Sequence, residues 1–212
     1  MGNIALAAFD DEMNRGGCRC LRYVDDFLLL GASEKEVNSK LRLAKRLLGE
    51  LGMELSPEKS HQGARSIRSG FEFLGISLTP GLIRPTRKAQ RRLLEAIEQR
   101  FQTSCEVYRK MRNGGPIEHH ASLIESLKHV SGIIDGWGKH YWFCNDGRTL
   151  GNLNQRVDGM LGQYLGVYSD TKKRLGSRNS RRELLGVSEL EVDRSKAFKY
   201  PACNPALSKV AA

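Results

Sequence analysis

Two adjacent carboxylates, Asp25 and Asp26, stand between two short β-forming segments, and this arrangement constrains the fold more than any other stretch of the chain. Residues 21–24 and 27–30 are rich in strand-forming side chains, so they predict a β-hairpin with both aspartates in its turn. The aliphatic flanks predict that both strands are buried. Two like charges held this close need a compensating cation, and a divalent metal ion on oxygen ligands is the obvious one. The alternative is an ordinary Asp-Asp turn without a ligand, because Asp suits turns.

The segments around this hairpin read as alternating helices and short strands. A helix is predicted over residues 3–14, with an apolar stripe of Ile4, Ala7, Ala8 and Met13. A capping box of Ser33 and Glu36 opens a second helix that Gly52 ends. Its apolar stripe is Val37, Leu41, Ala44, Leu48 and Leu51, and its solvated basic face is Lys35, Lys40, Arg42 and Arg46. Short strands are predicted at 53–55, near 66–67 and at 71–78.

Residues beyond 80 read as mostly helical. Helices are predicted over about 85–103, 117–134 and 150–165, with a break at Gly114-Gly115-Pro116. The first buries Leu93, Leu94, Ile97 and Phe101, and the second carries an apolar stripe of Leu123, Leu127, Val130 and Ile134. A further short helix is predicted at 181–185, and the last dozen residues are expected to be disordered. The predicted fold class is α+β.

Four short motifs follow one another along the chain. They are Tyr-Val-Asp-Asp at 23–26, Leu-Ser-Pro-Glu-Lys-Ser at 55–60, Phe-Glu-Phe-Leu-Gly at 71–75, and the segment 133–141 around Trp137 and Tyr141. The first three resemble motifs C, D and E of reverse transcriptases, and the fourth resembles the Gly-Trp-x-x-Tyr signature of bacterial retroelement enzymes. Residues 2–6 running into 9–13 resemble the helix that follows motif B in group II intron-type enzymes. The chain is thus similar to the C-terminal half of a bacterial reverse transcriptase of the group II intron, retron or phage-defence type.

This resemblance implies an architecture. Residues 1–80 would be part of a polymerase palm, built from the Tyr-Val-Asp-Asp hairpin, a helix and short antiparallel strands. Residues 81–168 would be a helical thumb or maturase-like region, and residues 169–212 a basic, partly disordered tail. The fingers and motif A, with its metal-binding aspartate, would lie before Met1, so a separate chain could supply them. Asp10 and Asp11 are not assigned to catalysis, because they lie on the helix that resembles the element after motif B.

The resemblance also implies roles for individual residues in nucleotidyl transfer. Asp25 would bridge two Mg²⁺ or Mn²⁺ ions, with Asp26 as a lesser ligand, and Lys59 would act as general acid or electrostatic stabiliser of the leaving group. Tyr23 and Val24 would lie beside the primer end and the nucleotide, although ordinary hairpin packing stays open for both. Phe73, Leu74 and Gly75 of the motif E hairpin would position the primer backbone. The side chains of Phe71 and Phe73 are more simply interpreted as core.

The net charge of +10 favours a polyanionic partner. A basic cluster opens the helix predicted from 85, where it opposes the helix dipole, so phosphate contact explains it better than local stability. These candidate contacts to an RNA template and a DNA primer are Arg87, Lys88, Arg91 and Arg92. Trp137 and Tyr141, four positions apart, are expected to share a helical face and to be buried rather than to stack on bases.

Other classes of protein fit poorly. Five cysteines without a Cys-x-x-Cys pair argue against a disulfide framework and a zinc site, and predict buried or half-buried free thiols. His119, His120, His129 and His140 lack the spacing of a metal site. No apolar run reaches membrane-spanning length and no signal peptide is present, so a cytoplasmic protein without a membrane partner is expected.

Two functions stay open. The first is a reverse transcriptase fragment that polymerises DNA on RNA once fingers and motif A complete it. The second is a non-catalytic, maturase-like RNA-binding module, and a decayed retroelement remnant is a third possibility.

Overall fold

The computed structural model describes residues 6–58, 60–116, 118–188 and 190. These residues form a mixed α and β fold with small antiparallel sheets, as the sequence predicted. The assignment of 1–80 to a palm, 81–168 to a thumb and 169–212 to a tail stays a prediction. Lys59 and the last dozen residues lie outside the described part of the chain, as do Asn3 and Ile4 of the predicted first helix.

The chain opens with a short helix and the predicted hairpin. Helix α1 spans Ala7–Met13, strand β1 Arg19–Tyr23 and strand β2 Asp26–Leu30. The two strands pair antiparallel with Tyr23 opposite Asp26, so the turn consists of Val24 and Asp25 alone. Asp26 therefore begins β2 and does not belong to the turn, which corrects the prediction that both aspartates lie in it.

The hairpin is much less buried than its aliphatic sequence suggested. Cys20 is the one buried residue of β1, Leu21 is 53% exposed, and the residues of β2 after Asp26 are half-buried. A hairpin with a helix packed on one face leaves the other face open, because burying both faces needs a second covering layer. The prediction of two buried strands is therefore wrong.

A small core joins α1, the hairpin and the next helix. The buried stripe of α1 is Phe9 and Met13, preceded by Leu6, whereas Ala7 and Ala8 are exposed, contrary to the prediction. The Phe9 and Phe27 rings meet edge to face with centroids 5.6 Å apart. The other buried members of this core come from β1 and from the next helix: Cys20, Ala44 and Leu48.

Helix α2 spans Glu34–Glu50 and begins where the capping box predicted. The Ser33 side chain accepts a hydrogen bond from the Glu36 backbone N–H, and the Glu36 carboxylate accepts one from the Ala32 N–H. At the other end Gly52 has φ +71, and Met53 N–H donates to the Leu48 carbonyl. This is the glycine-terminated helix end that the sequence predicted.

Two side chains of α2 differ from their predicted environments. Leu51 is 48% exposed and not part of the buried stripe. Lys40 does not belong to a solvated face, because its ammonium donates to the carbonyls of Glu12 and Arg15, at 3.2 and 2.6 Å. A cation at the last carbonyls of α1 complements the negative end of that helix.

The segment after α2 holds a three-stranded antiparallel sheet. Its strands, in the order β3-β4-β5, are Phe71–Phe73, Ile76–Thr79 and Leu82–Pro85. The single strand predicted over 71–78 is wrong, because Leu74 and Gly75 make a two-residue turn inside it. Residues 53–55 form no strand, the predicted strand near 66–67 is a 3₁₀ turn at Ile67–Ser69, and β5 was not predicted.

Four further helices follow. They are α3 at Arg87–Arg112, α4 at Leu123–His140, α5 at Gly147–Arg174 and α6 at Arg178–Leu185. The predicted stripe of α3 is confirmed, since Leu93, Leu94, Ile97 and Phe101 are all buried. Helices α3 and α5 run longer than predicted and α4 begins six residues later, at Leu123 instead of 117. None of the helices in the described residues is long and apolar enough to cross a membrane.

The chain divides into two compact units. The first comprises residues 1–98 and 132–160, and the second residues 99–131 and 161–212. Helices α3, α4 and α5 contribute residues to both. The hairpin, the three-stranded sheet and the start of α3 therefore belong to the first unit.

A buried chain of hydroxyl groups organises the second unit. Ser104 Oγ donates to the Ala121 carbonyl at 2.6 Å, which uses its one hydrogen. Tyr164 must then donate to Ser104 Oγ at 2.9 Å, and Tyr108 to the Tyr164 hydroxyl at 2.7 Å. The Tyr164 ring stacks on Phe101 at 4.4 Å, and burial raises the pKa of the Tyr108 hydroxyl far above its usual value. Each of these buried polar groups has a partner, as a stable interior requires.

Replacement of Tyr164 by Phe tests this network. The change removes one donor and leaves the Tyr108 hydroxyl without its acceptor, so we expect a loss of about 1–3 kcal/mol in the free energy of unfolding. Tyr168→Phe is the matched control, because this neighbouring tyrosine is only half-buried and its ring lies 6.3 Å from that of Tyr108. Urea denaturation of both variants measures the difference, and equal stabilities would contradict the network.

Candidate functional site

The tip of the β1–β2 hairpin projects from the first unit. Tyr23 and Val24 are 63% and 62% exposed, and Asp25 and Asp26 are exposed too. Val24 has φ +58, a left-handed conformation that is unusual for a β-branched residue. Because Val24 lies in the turn and faces solvent, hairpin packing does not explain this residue.

The two tip carboxylates have no ion-pair partner in the part of the chain that the structure describes. The nearest cation in sequence, Arg22, makes its ion pair with a different carboxylate. Its guanidinium grips Asp10 of α1 through two hydrogen bonds, Nε to Oδ1 at 2.7 Å and Nη2 to Oδ2 at 2.5 Å. The charge of Arg22 is thus matched by Asp10 and leaves the tip acidic.

Arg22 also holds the turn itself. Its Nη1 donates to the Val24 carbonyl at 2.6 Å, so one side chain ties α1 to the backbone of the strained turn. The Arg22 side chain is only 10% exposed, which makes these charge-assisted bonds stronger than a surface pair. Hydrogen bonding to Arg22 lowers the pKa of Asp10 below its ordinary 3.8.

Sequence reasoning missed the pairing of Arg22 with Asp10. An arginine three residues before Asp25 suggests a local pair with the two aspartates. Strand geometry gives the missing signal, because residues 22 and 23 point to opposite faces and Arg22 shares the face of Cys20, which packs on α1. The pairing gives Asp10 a structural role.

A shallow depression lies beside the tip. It is lined by Ala7, Asp10, Asp11, Arg22, Tyr23 and Val24. The predicted nucleotide-proximal residues Tyr23 and Val24 therefore share one concave surface with the Arg22–Asp10 pair. Asp25 and Asp26 are not among the lining residues.

The tip offers oxygen ligands of the type that Mg²⁺ and Mn²⁺ prefer. Asp25 and Asp26 are adjacent, exposed and without an ion pair among the described residues, so they fit a divalent ion in chemistry and access. Within those same residues no group of three or more His, Cys, Asp or Glu side chains is placed to hold a metal. A metal bound at the tip would therefore need ligands in addition to these two carboxylates.

The β3–β4 turn is the second distinctive feature of the first unit. Leu74 and Gly75 have φ +50 and +79, the pair of positive values that a type I′ hairpin turn requires. A Cβ on Gly75 would come within 2.9 Å of the Tyr141 hydroxyl oxygen, so glycine is needed for space as well as conformation. Phe71 and Phe73 are half-buried, so their interpretation as core residues is only partly right.

The segment with the Gly-Trp signature packs beside this turn. The rings of Trp137 and Tyr141 are tilted against each other at 4.5 Å, as residues on one helical face should be. Tyr141 is buried at 8% exposure and Trp137 is half-buried, which confirms the shared face and the burial of Tyr141. The turn of Leu74 and Gly75 thus lies near Tyr141 of this aromatic segment.

The predicted basic cluster lies on the exposed side of the first turns of α3. Arg87, Lys88, Arg91 and Arg92 are all exposed, and Arg91 forms an ion pair with Glu95 at 3.4 Å. Thr86 caps the helix, because its hydroxyl accepts from the Ala89 N–H at 3.2 Å. A neutral cap followed by several cations leaves the positive end of the helix dipole uncompensated.

Lys59 lies outside the described residues. Cys18 and Cys20 are buried free thiols, and Cys105 and Cys144 are half-buried ones, as predicted. Burial raises the pKa of Cys20 to about 11, as expected for a thiol packed in an apolar core.

Comparison with known families gives one match. Residues 1–78 match the family model described as "Reverse transcriptase (RNA-dependent DNA polymerase)". The matched segment contains α1, the β1–β2 hairpin, α2 and most of the β3–β4 hairpin. No curated protein matches the chain.

Replacement of Asp10 by Asn tests the Arg22 clamp. We expect a loss of about 1–2 kcal/mol in the free energy of unfolding at pH 7, the lower part of the range for charged hydrogen bonds, because Asp10 is about a third exposed. The folded-state pKa of Asp10 is depressed, so its contribution is present above about pH 4 and is lost as the pH falls through the folded pKa. The stabilities of the wild type and Asp10→Asn should therefore converge as the pH falls below 4.

Asp11→Asn is the control for this prediction. It removes one exposed carboxylate from the same helix and should change the stability by less than about 0.5 kcal/mol. Denaturant unfolding of the three proteins from pH 3 to pH 7 measures both effects. A difference between the wild type and Asp10→Asn that stays constant with pH would show that the ion pair is not its source.

Proposed function

We propose that this chain is part of an RNA-directed DNA polymerase, and that Asp25 and Asp26 supply carboxylates to its nucleotidyl-transfer centre. The observation that carries this proposal is the position of the acidic tip. It lies within the segment that matches the reverse transcriptase family, and its carboxylates are exposed and not neutralised by Arg22. Carboxylates held free of protein cations are what a divalent metal site needs.

The chemistry follows from this placement. A primer 3′-hydroxyl would lose its proton and attack the α-phosphate of a nucleotide, forming the new ester bond as the bond to pyrophosphate breaks. Asp25 and Asp26 would hold Mg²⁺ or Mn²⁺, which would supply stabilisation of the charge on the attacking and leaving oxygens. Asp25, in the turn, would bridge the two ions, and Asp26, at the start of β2, would be a lesser ligand. Tyr23 and Val24 would border the nucleotide and the primer end. Lys59 would donate a proton to the pyrophosphate or stabilise its charge.

The other ligands would come from a segment with fingers and motif A, supplied by a separate chain or by a longer form of this one. Two adjacent carboxylates cannot fix two metal ions by themselves, since the ions need a shared cage of oxygens. The type of element, whether group II intron, retron or phage defence, is part of this proposal and rests on the motif order. The cytoplasmic location rests on composition.

Template and primer would be held by two surfaces of the first unit. The turn of Leu74 and Gly75, with Phe73 at its base, would position the primer backbone. The exposed cations at the start of α3 would contact phosphates without reading sequence. The cluster opposes its own helix dipole, which favours a role in binding over one in stability.

Replacement of Asp25 by Asn tests the acidic tip. We expect primer extension on an RNA template with Mg²⁺ to fall by at least about 100-fold, the usual effect of removing a group that stabilises transition-state charge. The assay combines this chain with a polypeptide that carries the fingers and motif A of a reverse transcriptase. Asp158→Asn, an exposed carboxylate on α5, is the control and should extend the primer like the wild type.

Wild-type extension by Asp25→Asn would refute the catalytic role of the tip. If the wild-type chain binds RNA but never extends a primer in the combined assay, the chain acts as a non-catalytic RNA-binding module. Asp26→Asn should lose less activity than Asp25→Asn, as a lesser ligand would.

The basic surface is tested by replacing Arg87, Lys88 and Arg92 together with Gln. Each phosphate contact contributes about 0.9 to the slope of log affinity against log salt on a duplex, so loss of three contacts should lower the slope by about 2–3. Lys35, Arg42 and Arg46, all exposed on α2, form the matched control when replaced by Gln, because the net charge changes equally. Fluorescence anisotropy with an RNA–DNA duplex measures the slope.

The stability of the α3 variant separates binding from folding. Removing cations from a helix N-terminus should leave the free energy of unfolding unchanged or slightly higher. Equal salt slopes for the two triple variants would show that net charge, and not this surface, binds the duplex.

A further inference from the structure

Two large aromatic side chains face solvent after helix α4. Trp142 is 80% exposed and Phe143 is 39% exposed, and their rings meet edge to face at 6.1 Å. In an edge-to-face pair at least one face of each ring stays uncovered. An indole that is mostly exposed to solvent lacks the stabilisation that burial of its apolar surface would give. This aromatic pair is therefore a candidate binding surface.

The loop that carries the aromatic pair is fixed at both ends. On one side Tyr141 N–H donates to the Trp137 carbonyl at 3.1 Å and Cys144 N–H donates to the Tyr141 carbonyl at 3.0 Å. On the other side Asn145 pairs with strand β5, donating from its backbone to the Ile83 carbonyl at 3.0 Å and accepting from the Ile83 N–H at 2.7 Å. Trp142 is therefore exposed on a loop whose two ends are held by hydrogen bonds.

The surroundings of the loop are those expected along a nucleic-acid path. Tyr141, the residue before Trp142, contacts Gly75 of the turn proposed to position the primer backbone. Burial raises the pKa of Tyr141, and the positive charge of Arg92 partly offsets this rise. Lys139 is exposed three residues before Trp142. Tyr141, next to the aromatic pair in the sequence, thus lies near both the proposed primer turn and a cation at the start of α3.

We propose that Trp142, supported by Phe143, stacks on an unpaired base of the nucleic acid held by the first unit. This inference rests on the proposed function and adds to it a contact with single-stranded substrate. Base stacking on an aromatic face is tolerant of sequence, as a polymerase surface requires, and cations beside the ring hold the backbone. Positive neighbours favour this occupant over an apolar protein segment, which has no phosphate to use them.

The test compares two RNA–DNA duplexes, one blunt and one with an overhang of about eight unpaired nucleotides, a length within the usual single-strand site size. For the wild type, the overhang should tighten binding and quench the tryptophan fluorescence. Trp142→Ala should weaken binding of the overhang duplex by about 5- to 150-fold, the usual range for one stacked base, and leave blunt-duplex affinity unchanged. Trp142→Phe should retain most of the affinity and lose most of the quenching, because the chain has only 2 tryptophans and Trp137 is half-buried.

Leu51→Ala is the control, since Leu51 is an apolar residue that is 48% exposed elsewhere in the same unit. The inference is overturned if Trp142→Ala binds the overhang like the wild type, or if it weakens both duplexes equally. A change of oligomeric state in Trp142→Ala on sedimentation would also overturn it, because the pair would then be an interface between copies. If the wild-type chain binds neither duplex, both the proposed function and the stacking inference fail. If it binds both duplexes with equal affinity, only the stacking inference is contradicted.

Discussion

The ion pair between Arg22 and Asp10 is the constraint on which the candidate site depends. One guanidinium joins helix α1 to the hairpin and donates to the carbonyl of Val24 in the turn. The pairing satisfies the charge of Arg22 inside the protein, so this cation does not neutralise Asp25 and Asp26. Had Arg22 paired with the tip, the two aspartates would form an ordinary salt-bridged turn. The direction of one side chain therefore affects how acidic the tip is.

Other cations of the first unit also bind protein groups within their own unit. Lys40 is used at the carbonyls that end α1, and Arg84 lies 3.9 Å from Asp146, the residue that caps α5. Lys40 and Arg84 thus stabilise the fold. The cluster at the start of α3 differs, because it lies where the helix dipole disfavours positive charge and only Arg91 pairs with an acid among the described residues. A surface that costs stability is more readily explained by binding.

The sequence predicted those elements whose signals are local. Ser33, Glu36 and Gly52 fixed both ends of α2, and the spacing of Leu93, Leu94, Ile97 and Phe101 identified the buried face of α3, because caps and helical periodicity need no tertiary information. The exposure of the hairpin, strand β5 and the pairing of Arg22 depend on which elements pack together. The hairpin at Leu74 and Gly75 was expected from the resemblance to motif E and not from a local signal, because leucine is not a turn residue and its positive φ follows from its neighbours.

Two of the three two-residue hairpin turns described in the first unit carry a bulky aliphatic residue in the left-handed region, Val24 in one and Leu74 in the other. Each such conformation costs on the order of 1–3 kcal/mol and persists only where the surroundings enforce it. Arg22 holds the first turn through the Val24 carbonyl. In the second, the Gly75 carbonyl accepts from the Thr86 N–H at 2.8 Å, and Tyr141 leaves no room for a side chain at Gly75. The two strained turns lie in the segments that resemble motifs C and E. The turn between β4 and β5 is not held in this way, since Gly81 has open space around it. Strain that neighbouring groups enforce is expected where a turn must present its backbone in one geometry to a substrate.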